Sequence, residues 1–474
     1  MKIKSVVCLV LCLCLLLAGC RSSGSGSSKI NNPEEGVTVT AYYVNNPVST
    51  RYRYIESMIK RYKRMTDMPD TIEETAFSSY EEMAKAIEEE GMPDLIIFDD
   101  WYGDAANAEA MNLSEMIAAG EIVALDDFLQ QDETYDADNY VGGAMEAGQV
   151  EGTQYVLPLS MKAEYLLTDE SKINTTILSE LSKNYTSNEL IEVLLKDGEQ
   201  NAERSLYWTI ITTNQYGIYG IGITMSNLLQ GAGYLQPSSQ TVIPDKEGFK
   251  QAIEYLRLCM ALYRDMYNGP DSSALGDVPL EDLPDVFLES IANMNLPFMM
   301  QYFQSVYNVI AGKNVVLHLY PYGDSVDTYG VTLNGFAVIS EDSEVQEGAY
   351  RVARAFMDME ADAWANINEE SAMGWATSVN LNVLRDQISA AESSGSAIYH
   401  WEGGTRFDKQ QLTGDNAAQL KEWAEHIQYA NLPNPEISTI LEHYFGNYVY
   451  GLEDTIDWDN ILESCEAAVA AVEK

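Results

Sequence analysis

The sequence predicts an α/β protein of at least two packed units, and three observations carry that prediction. Between residues 37 and 98 the hydrophobic pattern alternates strand, helix, strand, helix, strand. The last strand of the series, Leu95-Ile96-Ile97-Phe98, is apolar at every position, as in a parallel sheet covered on both faces. The chain has 474 residues, far beyond the ~250 at which a single core stops growing.

Ahead of the first strand stands a leader. Lys2 and Lys4 give a basic start, Val6 through Leu17 is an almost uninterrupted apolar run, and Leu17-Ala18-Gly19-Cys20 closes it with small residues and a cysteine. The run is too short for a comfortable membrane span, so residues 1–19 read as a signal peptide. The quartet resembles the bacterial lipobox, which implies that the Cys20 thiol receives a lipid and becomes the first mature residue. Residues 20–36 then form a linker, opened by the Ser/Gly run Arg21 to Ser28, which can bury nothing and reads as a leash.

Val37 to Tyr43 alternates around β-branched residues and opens the fold as a strand. Asn45-Asn46-Pro47 breaks it, and Ile55, Met58, Ile59, Tyr62 and Met65 recur at helical spacing with basic residues on the other faces. Thr71 to Phe77 is a second strand. Ser79 precedes a helix carrying Met83, Ala84 and Ile87, which Gly91-Met92-Pro93 ends. Later, Phe249, Ile253, Leu256, Met260 and Tyr263 form a helical stripe. Gly335 to Ser340 is another buried strand, Val352, Phe356 and Met359 follow on a helix, and Ile461, Cys465, Ala468 and Val472 mark a last helix.

Charge excludes some partners. Twenty-eight Lys+Arg against 73 Asp+Glu leave a net charge of −45, so nucleic acid is not a partner and membrane attachment requires an inserted segment or a lipid. Of six cysteines only Cys259 and Cys465 lie in the folded part, both on apolar helix faces where buried thiols are the default; a disulfide between them stays open. The four histidines form no close ligand cluster, so no metal and no cofactor is expected. Gly220-x-Gly222 lacks the third glycine of a phosphate-cradling turn and reads as the lead-in to a helix around Leu228. Asp132, Thr134, Asp136 and Asp138 have the spacing of a calcium loop, but Ala137 replaces the turn glycine and no Glu closes the set, so they read as a solvated acidic loop.

Open parallel sheets bind ligands outside the carboxyl ends of their strands. There the sequence places Tyr42, Tyr43 and Asn45, then Asp99, Asp100 and Trp101. Aromatics, carboxylates and amides would converge there on one rim. Trp208, Phe298, Tyr302 and Trp375 are further aromatic candidates, and Lys162 is a polar one.

The order of elements resembles the extracellular solute-binding proteins of bacterial ABC importers, in particular the carbohydrate-binding group. The residues that carry the resemblance are Gly91-Met92-Pro93-Asp94-Leu95-Ile96-Ile97-Phe98, Ile122 to Leu129, Gly152 to Ser160, Asn334 to Ser340, and Glu347 to Tyr350 with Phe356-Met357. It implies a two-lobed, periplasmic-binding-protein-like fold of class II type, with a ligand cleft between lobes joined by several hinge crossings. Lobe 1 would be residues 37–160 plus 335–375, and lobe 2 residues 161–334 plus 376–474. The implied protein is a monomer outside the cytoplasm that binds a carbohydrate, meets permease subunits and does no chemistry. Phe298, Tyr302 and Lys162 match family positions near the cleft. Two alternatives stay open: an iron or polyamine binder using Tyr42-Tyr43 and Tyr320-x-Tyr322, and a surface glycoside-active enzyme using the carboxylates.

Overall fold

The computed structural model describes residues 30, 35–44, 54–99, 110–162, 164–169, 185–200, 221–237, 239, 241–266, 298–302, 315–359, 377–394, 414–432 and 434–472. Its first half contains β1 (Thr38–Val44), α1 (Tyr54–Tyr62), β2 (Thr71–Phe77), α2 (Tyr80–Glu90), β3 (Leu95–Asp99), α3 (Leu113–Ala118), α4 (Asp126–Gln131), β4 (Gln149–Val150), β5 (Thr153–Gln154), β6 (Leu157–Lys162), β7 (Glu164–Asp169), α5 (Ser187–Gln200) and α6 (Ile221–Gly231). Then follow α7 (Lys246–Met266), β8 (Phe298–Tyr302), β9 (Val315–Leu319), β10 (Tyr329–Ile339), α8 (Gln346–Met357), β11 (Thr377–Ser378), α9 (Leu381–Ser394), α10 (Gly414–Glu425), β12 (Ile427–Asn431), α11 (Pro435–Val449) and α12 (Trp458–Val472).

The alternation read from the sequence is present, and its punctuation works as expected. Ser79 caps α2 by accepting from the Glu82 backbone N–H at 3.2 Å, and the Glu82 carboxylate returns to the Ser78 N–H at 2.9 Å. Gly91 ends the helix with φ of 94°, a backbone region that costs glycine nothing. β1 then lies between two parallel neighbours, with Tyr43 opposite Ala76 of β2 and Ile97 of β3.

The sheet is mixed rather than parallel throughout. Its order is β11-β6-β10-β3-β1-β2, with β12 also on β10. β10 runs antiparallel to β3 and β6, while β12 runs parallel to it. A strand buried on both faces has the same apolar composition in either direction, so sequence patterning alone does not reveal the reversal. β7, β8 and β9 form a separate three-stranded antiparallel sheet.

Strand alternation divides the core. Val39, Ala41, Tyr43, Leu95, Ile97, Ala337 and Ile339 pack with α1 and α8, whereas Ile96, Phe98, Phe336 and Val338 pack with Tyr80, Met83 and Leu113 on the other face. On that second face the Tyr80, Phe98 and Phe336 rings stack in sequence, with centroids 5.8 and 4.8 Å apart. In α12 the buried stripe is Leu462, Cys465 and Val469, one residue away from the expected Ile461 and Ala468. Burial pushes the free Cys465 thiol up to about 12.

Buried and half-buried carboxylates tie the layers together. Asp94 accepts from the Thr40 N–H and hydroxyl, each at 2.8 Å, and from the Ser343 hydroxyl at 2.6 Å. Asp70 accepts both arms of the Arg351 guanidinium at 2.7 and 2.8 Å. Asp132 is not part of a solvated acidic loop: it is buried and pairs with Arg354 at 3.1 Å. Gly222 lies within α6, where an added Cβ would stand 2.2 Å from the Ser438 backbone oxygen, so its small size serves the packing of α6 on α11. Among the described residues, no helix is long and apolar enough to cross a membrane.

Candidate functional site

Two strands that approach β10 from opposite ends stop short of each other on the same edge. β3 ends at Asp99, opposite Gly335, and β12 ends at Asn431, opposite Thr332. Their carboxyl ends therefore face one another across the middle of β10, and polar residues collect there. The Asn334 Nδ2 donates to Asp99 Oδ1 at 3.4 Å, while Ser160 of β6 donates to Asn334 Oδ1 at 3.0 Å. Ser160 and Asn334 are 0% and 3% exposed, in the interior of otherwise apolar strands.

Asp99 is held by its backbone. The Tyr80 hydroxyl donates to the Asp99 carbonyl at 2.8 Å and accepts its N–H at 3.0 Å, so the first residue of α2 clamps the end of β3. From the other side, Leu432 packs against the cluster containing Phe98 and Phe336, and Asn112 donates to Glu436 at 3.4 Å. The segment after β12 thus meets the surroundings of β3 at this same place. Asn431 completes the set: its Nδ2 is buried and has no hydrogen-bond partner among the described residues.

Of the site residues expected from sequence, the structure brings Asp99 to this position. It removes Tyr43, which is 3% exposed in the core against Ile55 and Ile59 and whose phenol burial pushes up to about 12. Tyr42 is also displaced: its ring meets Phe77 edge-on at 5.0 Å and its hydroxyl lies 3.5 Å from Glu90, toward the amino end of β3. Successive residues of a strand face opposite sides of its sheet, so the two rings point into two different helix layers rather than along the strand to its rim.

Lys162 ends β6, where the chain leaves the larger sheet for β7. Phe298 and Tyr302 are the two ends of β8, with Tyr302 opposite Glu164. Asn45, Asp100, Trp101, Trp208 and Trp375, together with Cys20, lie outside the described residues. Of the phenols behind the iron alternative, Tyr43 and Tyr320 are core residues and Tyr322 stacks on Tyr429. A surface hollow lined by Val37, Phe128, Gln346 and Arg351 lies at the opposite, amino end of the sheet.

Sequence reasoning missed Ser160, Thr332, Asn334 and Asn431. For the first three a signal existed, since Leu157-Pro158-Leu159-Ser160-Met161 and Val331-Thr332-Leu333-Asn334-Gly335-Phe336 place polar side chains inside buried strands. Asn431, in the short polar stretch Ile427 to Asn431, carries no such mark.

No protein-family model matches the sequence, and no curated protein sequence does. Solved structures do match. The sugar-binding protein MalE of Xanthomonas citri shares 12% identity over 92% of this chain and 97% of its own, with a TM-score of 0.57. An extracellular solute-binding protein family 1 structure from Alicyclobacillus acidocaldarius shares 13% over 93% of this chain and 100% of its own, at 0.56. An ABC substrate-binding protein of Listeria monocytogenes in complex with cycloalternan shares 13% over 92% and 99%, at 0.52. The chain has the two-domain α/β fold of ABC-importer solute-binding proteins.

Proposed function

We propose that this chain is the extracytoplasmic solute-binding component of an ABC importer, which captures a sugar or oligosaccharide between two lobes and passes it to a permease without catalysing a reaction. The observation that carries this reading is the meeting of the β3 and β12 ends on β10, within a fold whose matched structures are named for sugar binding. Opposed strand ends lined by a carboxylate and amides suit a ligand rich in hydroxyls. The lobes would be residues 37–160 plus 335–375, and 161–334 plus 376–474. The crossings would lie near Ser160 to Leu166, Leu333 to Ala337, and Trp375 to Leu381; the passage from β6 into the separate sheet of β7 and the course of β10 past both strand ends support the first two. Besides Asp99, the proposed contacts are Asn45, Asp100, Trp101, Lys162, Trp208, Phe298, Tyr302 and Trp375.

A thermal-shift panel of oligosaccharides, polyamines and metal ions tests the reading. A sugar at about 100 times its Kd will add about 2.7 kcal/mol to the native state. Stabilisation by polyamines or metals alone, or product release from an oligosaccharide, would overturn the proposal. Trp101→Ala will weaken the bound sugar roughly thirtyfold, about 2 kcal/mol. Tyr43→Ala will instead lower the melting temperature and leave affinity unchanged.

The tether belongs to the same proposal. Cys20→Ser will leave the fold intact, abolish fatty-acid labelling and move the protein from the detergent to the aqueous phase. A variant that still labels and partitions like the parent would place the anchor elsewhere.

A further inference from the structure

Tyr429 is 44% exposed, which is unusual for a large side chain on a strand of this sheet. Its ring is nevertheless held in place. It lies on Tyr322 with centroids 3.9 Å apart and an interplanar angle of 13°. Tyr322 is in turn confined by two glycines, since a Cβ on Gly233 or Gly330 would stand 3.1 or 2.8 Å from its ring carbons. The outcome is a flat aromatic surface, backed on one face and open to solvent elsewhere.

Two residues further along β12, Asn431 shares the face that carries Tyr429, because alternate residues of a strand point the same way. It presents a buried Nδ2 with no partner among the described residues. Four other buried groups are also without a partner among the described residues, but they lie on helices, whereas Asn431 stands at the end of a strand that faces Asp99, where an acceptor from outside the chain can reach it. Alternate strand residues lie about 6.5–7 Å apart, so one ligand can meet both the ring and the amide. A pyranose has the matching chemistry, with an apolar face for the ring and oxygens at its rim for the amide.

We infer that Tyr429 and Asn431 form the β12 side of the carbohydrate site: Tyr429 as a stacking platform for a sugar ring, and Asn431 as a donor to an oxygen of that ring or the next. The inference rests on the sugar-binding reading above and adds its recognition surface on the strand opposite Asp99.

Calorimetric titration with maltotriose, mannotriose and lacto-N-biose tests it on the full chain, using Tyr429→Ala, Tyr429→Phe and Asn431→Leu beside the parent. Tyr429→Ala will weaken the sugar that the parent binds at least about tenfold, whereas Tyr429→Phe, which keeps the ring, will stay within about twofold. Asn431→Leu will also weaken binding at least about tenfold while its melting temperature holds or rises, because an unpaired buried amide is replaced by an apolar group of similar size. If the parent binds and both the Tyr429→Ala and Asn431→Leu variants match it within about twofold, the inference fails and the sugar-binding reading stands. A lower melting temperature of Asn431→Leu with unchanged affinity would make the amide a packing group and overturn its role. Should the parent bind none of the three, the sugar reading fails in these tests and this inference with it.

Discussion

Replacing Arg354 with Met will cost the fold about 3–5 kcal/mol, read as a shift of the urea midpoint. The side chain is 6% exposed and gathers three groups, Asp132, Tyr140 and Asp358. Its Nε pairs with Asp132 at 3.1 Å, and one terminal nitrogen donates to the Tyr140 hydroxyl at 2.6 Å and to Asp358 at 2.8 Å. Tyr350 adds a second donor to Asp132 at 3.0 Å, and Asn380 donates to Asp358 at 3.0 Å. Removing the guanidinium leaves the Asp132 carboxylate buried without its counter-charge, which costs far more than the pair itself contributes. Arg354→Lys will recover only part of the loss, since an ammonium cannot reach several acceptors with a planar fork. Lys60→Ala, which breaks an exposed pair with Glu56, will change stability by no more than about 0.5 kcal/mol. A loss below about 1 kcal/mol for Arg354→Met would show that the network is solvated rather than buried.

The second large effect is alkaline unfolding. Burial pushes the phenols of Tyr43 and Tyr322 up to about 12, and it raises those of Tyr62, Tyr140, Tyr234 and Tyr350 as well. Nearby carboxylates add to the rise: Glu56 and Glu74 beside Tyr43, Asp358 beside Tyr140, and Asp132 beside Tyr350. An unfolded tyrosine titrates near ~10. Above that pH the native state holds more protons than the unfolded one, so stability, fully present below ~10, falls as pH rises through ~12 and beyond. Urea midpoints between about pH 8 and about pH 12, followed with phenolate absorbance, will fall together with the unfolding signal. Tyr350→Phe will shallow the slope, while costing about 1–2 kcal/mol at neutral pH because Asp132 loses a donor. A midpoint independent of pH over this range would mean that these hydroxyls reach water.

Much of the architecture was legible because it is written locally. Ser79 capping α2, Gly91 ending it, and the uninterrupted apolar run of β3 are signals within a few residues of the structure they produce. The site was less legible, since its parts are distant in the chain. Asn431 meets Thr332 across about a hundred residues, and Arg354 meets Asp132 across 222. Nothing near Asp132 announces its partner, so from the sequence alone a buried ion pair reads as a solvated loop. Alternation placed Tyr42 and Tyr43 in the right strand, but it does not say how far each ring lies from the strand end, and that distance decides whether it reaches a ligand.

β10 also acts as a ruler. The ends of β3 and β12 are both pinned to it by register, at Gly335 and Thr332, so the span between them is counted in residues of one strand. Three steps of about 3.3–3.4 Å set that span near 10 Å, enough for one sugar ring and the hydrogen bonds on either side. The length is covalent and does not depend on how the surrounding helices pack. Adding one residue between Leu333 and Asn334 would lengthen the span by a third and also turn Asn334 to the opposite face. Ligand size and the polarity of the gap are thereby written in the same few residues of a single strand.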